Sequence, residues 1–399
     1  MPIRAQPGLV CVALVACHGG ASAPAVPNPP GGSVQSVATQ IDFVPAALLS
    51  SEQLRPSLVV SGTELYFSDA SEHPVKRVSV SGGTPTPLAY RAGAPVRLVV
   101  SGGTVFWSDG GRLFRTSIDT RETTLLASGN LETSPTLLAE GDAVYWVRTV
   151  SSGDCSPACI HRIERIAGGT TSVVAEARQE ISGFVQETAW VYWAERGFGP
   201  ASATCNCGSA VKKAPKAGGP ATLLVDGTLN GLFPPPPPPF IQAGWSPSAN
   251  VALSGGSVIF SDGVRILSIP LAGGSVSIVA TLVTPRPRAL VADATSVFWI
   301  DDRSASTAAL PAGTPAVLAT ELTAPVDLFL DATGLLVADR GGPLGCCLAV
   351  GAGTILQIPR TGGEVVVRAA HLDAPTSVST DGDSLYWTEA WRVGSMPAA

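Results

Sequence analysis

Short apolar segments, rich in Val, Ile, Leu and aromatic residues, alternate with breaks of Gly, Asp, Ser and Pro along nearly the whole chain. β-branched and aromatic runs bounded by such breaks read as strands. In "RLVVSGGTVFWSD" (97–109), "VALSGGSVIFSD" (251–262) and "TSVSTDGDSLYWTE" (376–389), a strand meets a tight turn whose Gly or Asp supplies positive φ, and a second strand follows. Farther on come a third strand, a Gly-rich turn and a fourth, as in "AVKKAPKAGGPATLLV" (210–225), "ILSIPLAGGSVSIVA" (266–280) and "ILQIPRTGGEVVVRA" (355–369). No stretch repeats its apolar positions at a helical period. The pattern predicts an all-β chain assembled from four-stranded units, with strands A, B, C and D in each.

The B segments share a phrase. Tyr66-Phe67-Ser68-Asp69, Phe106-Trp107-Ser108-Asp109, Tyr145-Trp146-Val147-Arg148, Tyr192-Trp193-Ala194-Glu195, Ile259-Phe260-Ser261-Asp262, Phe298-Trp299-Ile300-Asp301, a faded Leu336-Val337-Ala338-Asp339 and Tyr386-Trp387-Thr388-Glu389 make eight copies. Their successive spacings are 40, 39, 47, 67, 39, 38 and 50 residues, so a unit near 39 carries insertions in three places. A repeat of that size built from short strands matches one blade of a β-propeller. A single propeller of eight four-stranded blades is expected, with seven as the alternative if Leu336-Val337 is displaced. Aromatics at one fixed place per blade are expected to pack between neighbouring sheets as core and not to stack on a ligand.

The phrase and its flanks resemble the YWTD-type β-propellers and, more closely, bacterial envelope propeller lipoproteins whose C strands end in a Gly-Gly turn. The resemblance runs from about Ser36 to Trp391. It implies that the acid closing each copy hydrogen-bonds neighbouring backbone and locks blade to blade, a role that falls here on Asp69, Asp109, Glu195, Asp262, Asp301, Asp339 and Glu389. Arg148 departs from the pattern, which puts the third interlock in doubt.

The last unit has A, B and a short C segment, and no D follows it. The missing strand is expected at the other end of the chain: "SVATQIDFVP" (36–45) resembles the D segments "SIVATLVTP" and "AVLATELTAP". Pairing there would seal the ring and remove exposed sheet edges. Ahead of it, one Arg and an apolar run from Gly8 to Ala16 form a signal too short to span a bilayer as a mature helix. Leu14-Val15-Ala16-Cys17 has the four residue types of a lipobox, which would make Cys17 the lipid attachment site. An ordinary signal peptide cut after Ala21-Ser22-Ala23 is the alternative. The expected organisation is a signal over 1–17, a Pro/Gly-rich tether over 18–35, and the propeller over 36–399, exported to the cell envelope and touching membrane only through its anchor.

In an ABCD blade the A–B and C–D turns share one face, and the B–C and D–A connections share the other. The long excursions fall on the second face: B–C in blades three ("RTVSSGDCSPACIHR"), four ("ERGFGPASATCNCGSAV") and seven ("DRGGPLGCCLAVGAGT"), and the D–A link after blade four. Six of the eight Cys lie in those B–C loops, Cys155 with Cys159, Cys205 with Cys207, and Cys346 with Cys347. Paired Cys in an exported chain point to disulfides that staple loops, within each loop or exchanged between blades three and four, since the closest spacings strain a bridge. Their spacings lack the tandem pairs of a zinc site, so no metal is expected. Pro234 to Pro239 predict a stiff polyproline II spacer, and Trp245, outside the phrase, is a candidate binding-face aromatic.

Charge is sparse at 14%, and the formal net of -6 offers no basic stripe for a phosphate backbone, so nucleic acid is excluded as a partner. Nucleophile-elbow, metalloprotease and phosphate-loop motifs are missing, and no cofactor is expected. His161 and His371, together with His73, are placed on the long-loop face, in B–C loops or a D–A link. The expected function is a monomeric binding or scaffolding module that takes a protein or glycan ligand through that face. The alternative is a propeller-type lyase or hydrolase with His and an acid converging at the channel mouth.

Overall fold

Strand-forming residues paired through tight turns bury their backbone polar groups as hairpins, and the chain repeats that solution eight times. The computed structural model describes residues 35–38, 58–68, 75–89, 97–109, 111–129, 137–150, 160–196, 210–226, 251–263, 265–283, 287–342, 351–389 and 393–397. They form eight four-stranded antiparallel sheets, with no helix among the described residues. The A strands of successive sheets touch around most of the ring, blades three and four meet through the D strand Thr170–Ala177 and the C strand Ala210–Pro215, and the A strand of blade one (Leu58–Ser61) contacts those of both blade two (Arg97–Ser101) and blade eight (Ser377–Thr380). The sheets therefore stand in a closed ring, an all-β eight-bladed β-propeller. The seven-bladed alternative is overturned, because the faded copy sits in an ordinary B strand, Gly334–Asp339, whose Leu335, Leu336 and Val337 are wholly buried.

Closure follows the expected route. Gln35–Ala38 is the fourth strand of blade eight, paired with the C strand Val393–Pro397 so that Gln35 faces Ser395 and Ala38 faces Val393. Gly394 belongs to this seam for a steric reason. A Cβ on it would lie 2.4 Å from the indole of Trp387 on the neighbouring B strand, so only glycine lets the C strand pass over that ring.

The repeated aromatics fill the spaces between sheets. Phe106 of blade two packs with Trp146 of blade three, Tyr192 of blade four with Phe260 of blade five, and Tyr386 of blade eight with Phe67 of blade one. Each such side chain contributes roughly 3 kcal/mol of burial, and this is why the chain spends its few aromatics at one place per unit. Trp107 also stacks on Phe114 across the B–C pair, with centroids 4.3 Å apart and planes at 17°.

Candidate functional site

The two ends of the ring are built differently. A–B connections are two or three residues long, such as 62–63, 102–103 and 293–295, and C–D connections reach six, as at 80–85. On the opposite face the chain runs through 151–159, 197–209 and 340–352 between B and C strands, and through 39–57 and 227–250 between D and A strands. The 39–57 link is long because the closing strand and the first A strand lie far apart in sequence.

At this long-loop end, the phrase acids do three different jobs. Asp109 accepts from the backbone N–H of Gly111 and Arg112 and pairs with the Arg112 guanidinium at 2.6 Å. Asp262 accepts from Arg265 N–H and pairs with its guanidinium at 2.6 Å. Asp301 accepts from Arg303 N–H, Ser304 N–H and the Ser304 hydroxyl. These three hold the B–C turn that follows them. Asp339 reaches back to the D–A link, accepting from Thr323 N–H at 2.7 Å and Ala324 N–H at 2.8 Å. Glu389 likewise accepts from Asp373 N–H, and its other oxygen takes the Trp387 indole N–H at 3.0 Å. Glu195 takes the Trp193 indole N–H at 2.8 Å and pairs with Lys212 at 2.9 Å. Asp69 lies outside the described residues.

Blade three breaks the phrase and shows the result. Its B strand (Ala143–Val150) and C strand (Ile160–Ala167) are longer than most, and their pairing sets Glu164 opposite Trp146 and Arg162 opposite Arg148. Trp146, Arg148, Arg162 and Glu164 therefore share the sheet face that packs on blade two, where Trp146 meets Phe106 and Leu113. The Arg148 guanidinium stands 3.7 Å from Glu164, whose side chain is 4% exposed against 37% for Arg148. Trp146 Nε1, Arg148 Nε and Glu164 Oε2 are buried with no hydrogen-bond partner. Burial pushes the Glu164 carboxyl above the ordinary carboxylate value, with Arg148 and Arg162 opposing the rise. Arg148 stands out in the sequence as a break in the phrase, whereas nothing in the sequence marks Glu164.

His161 and His371 are strand residues and not loop residues. His161 is second in the C strand of blade three, with Nδ1 3.4 Å from the Thr149 hydroxyl, and His371 lies next to the end of the D strand of blade seven (Val366–Leu372) at a φ of 59°. Blades three and seven stand opposite in an eight-bladed ring, so these two imidazoles do not converge. No group of three or more His, Cys, Asp or Glu suited to a metal occurs among the described residues. The loop cysteines expected to form disulfides, Cys155, Cys159, Cys205, Cys207, Cys346 and Cys347, all lie outside the described residues. So do Cys17, His73, the proline run and Trp245.

On the short-turn face, polar groups fasten blade to blade. Lys216 of blade four pairs with Glu140 of blade three, Lys213 donates to the Leu271 carbonyl of blade five, and Arg360 of blade seven pairs with Asp293 of blade six. Tyrosines of the phrase point their hydroxyls here. Tyr192 donates to Glu187 at 2.6 Å and Tyr386 to Asp381 at 2.7 Å. Burial and then the bond to Asp381 push the Tyr386 hydroxyl up to about 12.

No protein-family model matches the chain, and no curated protein matches it. Among solved structures, the computationally designed Ika8 protein superposes with a TM-score of 0.62 at 14% identity, covering 91% of this chain and 99% of that one. BamB from Moraxella catarrhalis gives 0.54 at 14% identity, covering 91% and 99%. A mutant puromycin hydrolase gives 0.50 at 13% identity, covering 88% and 62%. At these identities the likeness is one of fold.

Proposed function

We propose that the chain is an exported, lipid-anchored β-propeller of the YWTD type that binds or scaffolds a protein or glycan through its long-loop face. One observation carries this: every connection longer than six residues leaves from the B–C/D–A end, whereas the opposite end is closed by short turns and blade-to-blade bridges. Long loops on one face of a rigid scaffold are where binding surfaces are built without disturbing the core. In this reading Cys17 carries the lipid, residues 18–35 are the tether, and the protein sits in the cell envelope as a monomer. The cysteines of the B–C loops, Cys155 and Cys159, Cys205 and Cys207, and Cys346 and Cys347, staple the binding loops.

Intact-mass and thiol analysis of the mature protein from its native envelope is the first test. An acylated mass beginning at Cys17 with no free thiols is the expected result. An unacylated start near Pro24, or free thiols holding a stoichiometric metal, overturns it. Shortening 340–352 to a tight turn is then expected to abolish crosslinking to envelope components or binding to arrayed glycans, while substitutions in the A–B turns leave them intact.

A further inference from the structure

We infer that the anchor holds the ring with its short-turn face toward the bilayer and its long-loop face away from it. The inference rests on the anchored reading of Cys17 proposed above, and strand direction carries it. Within a blade, A and C strands run toward the short-turn face, and B and D strands run toward the long loops. In blade eight, Val393 at the start of the C strand pairs with Thr388 at the end of the B strand, and Pro397 pairs with Ser384 at the beginning of the B strand. The closing strand lies antiparallel to that C strand, with Gln35 opposite Ser395 and Ala38 opposite Val393. Its amino end therefore points to the short-turn face. Whatever precedes Gln35 leaves blade eight there, on its outermost strand.

The length of the tether makes this direction matter. Seventeen residues between Cys17 and Gln35 have a root-mean-square span of about 23 Å as a flexible coil. A blade of such strands is about 20 Å from face to face. To turn the long loops toward the bilayer, the tether would first have to cross the height of the blade, a distance close to its whole root-mean-square span and one that costs it conformational entropy. Turning the short-turn face toward the bilayer needs no such crossing. The long-loop face is then presented outward to a partner.

The test uses the full acylated protein on phosphatidylcholine vesicles that carry an acceptor dye at the lipid surface. A donor dye is attached through a clickable non-natural residue placed at Ser81, an exposed position in a C–D turn of blade one, or at His371, exposed on the long-loop side of blade seven. Both blades flank blade eight, so distance from the rim cancels. Higher energy transfer from Ser81 than from His371 is expected. Equal transfer, or the reverse, overturns the inference. If mass analysis shows no acylation, the anchored reading fails by itself. The same comparison on a chain ligated at its amino terminus to a lipid-bearing peptide still tests the geometry.

Discussion

Blades eight and three make opposite use of the same phrase. Blade eight is assembled from both ends of the chain, yet both oxygens of its phrase acid are engaged: Glu389 receives the Trp387 indole and the backbone of the incoming D–A link. Blade three is continuous in sequence, yet it leaves Trp146 Nε1, Arg148 Nε and Glu164 Oε2 buried and unpaired. Continuity of chain is thus not what satisfies a blade. An acid at the end of the B strand can do so, because a carboxylate accepts from the Trp two residues back and from the linker at once. An arginine, which only donates, cannot replace it. The unsatisfied groups lie within the hairpin of Ala143–Val150 and Ile160–Ala167, on the face that packs against blade two.

The comparison breaks most sharply if the seam of blade eight is forced open. Gly394→Val drives a side chain into the Trp387 ring and is expected to cost about 4 kcal/mol, read as a lowered denaturation midpoint. A change under about 1 kcal/mol would mean that the C strand does not cross the indole as described. Next in size is Glu389→Ala, which orphans the Trp387 and Asp373 N–H donors and makes blade eight resemble blade three. About 3 kcal/mol is expected, with part recovered by Glu389→Gln. Equal stability of Ala and Gln at this position would show that the acid fills space and does not accept hydrogen bonds.

Much of this architecture was legible in the letters. Eight phrases located eight B strands, and the D-like segment at the amino end located the closing strand, because both signals are local and repeat. The acids were less legible. Asp and Glu look interchangeable in the phrase, but the extra methylene lets Glu195 and Glu389 fold back to the indole of their own strand, while Asp109, Asp262 and Asp301 hold the turn ahead. Glu164 was not legible at all. Alternation shows that it shares a face with Arg162 and Ile166, but only the register of a hairpin interrupted by 151–159 places it across from Trp146. That register also draws His161 into a strand, although the neighbouring cysteines suggested a loop.

Blade three gives the smallest expected effects, and their sign depends on pH. The folded value of Glu164 lies above its ordinary one, so the native state holds this proton more tightly than the unfolded chain does. Stability contributed by the protonated carboxyl is present at and below the ordinary carboxylate range, and it is lost as pH rises through the folded value. Arg148→Met removes the nearest compensating charge. It is expected to leave stability near that of the parent in acid and to cost about 2 kcal/mol at neutral pH, less than a fully buried pair would because Arg148 is partly solvated. Glu164→Gln removes the titration and flattens the profile, gaining about 1 kcal/mol at neutral pH and nothing in acid. Urea denaturation of the parent and both variants at acid and neutral pH separates these outcomes. If Arg148→Met costs the same at both, Glu164 is not the charge that Arg148 compensates, and the unsatisfied seam of blade three is held by packing against blade two alone.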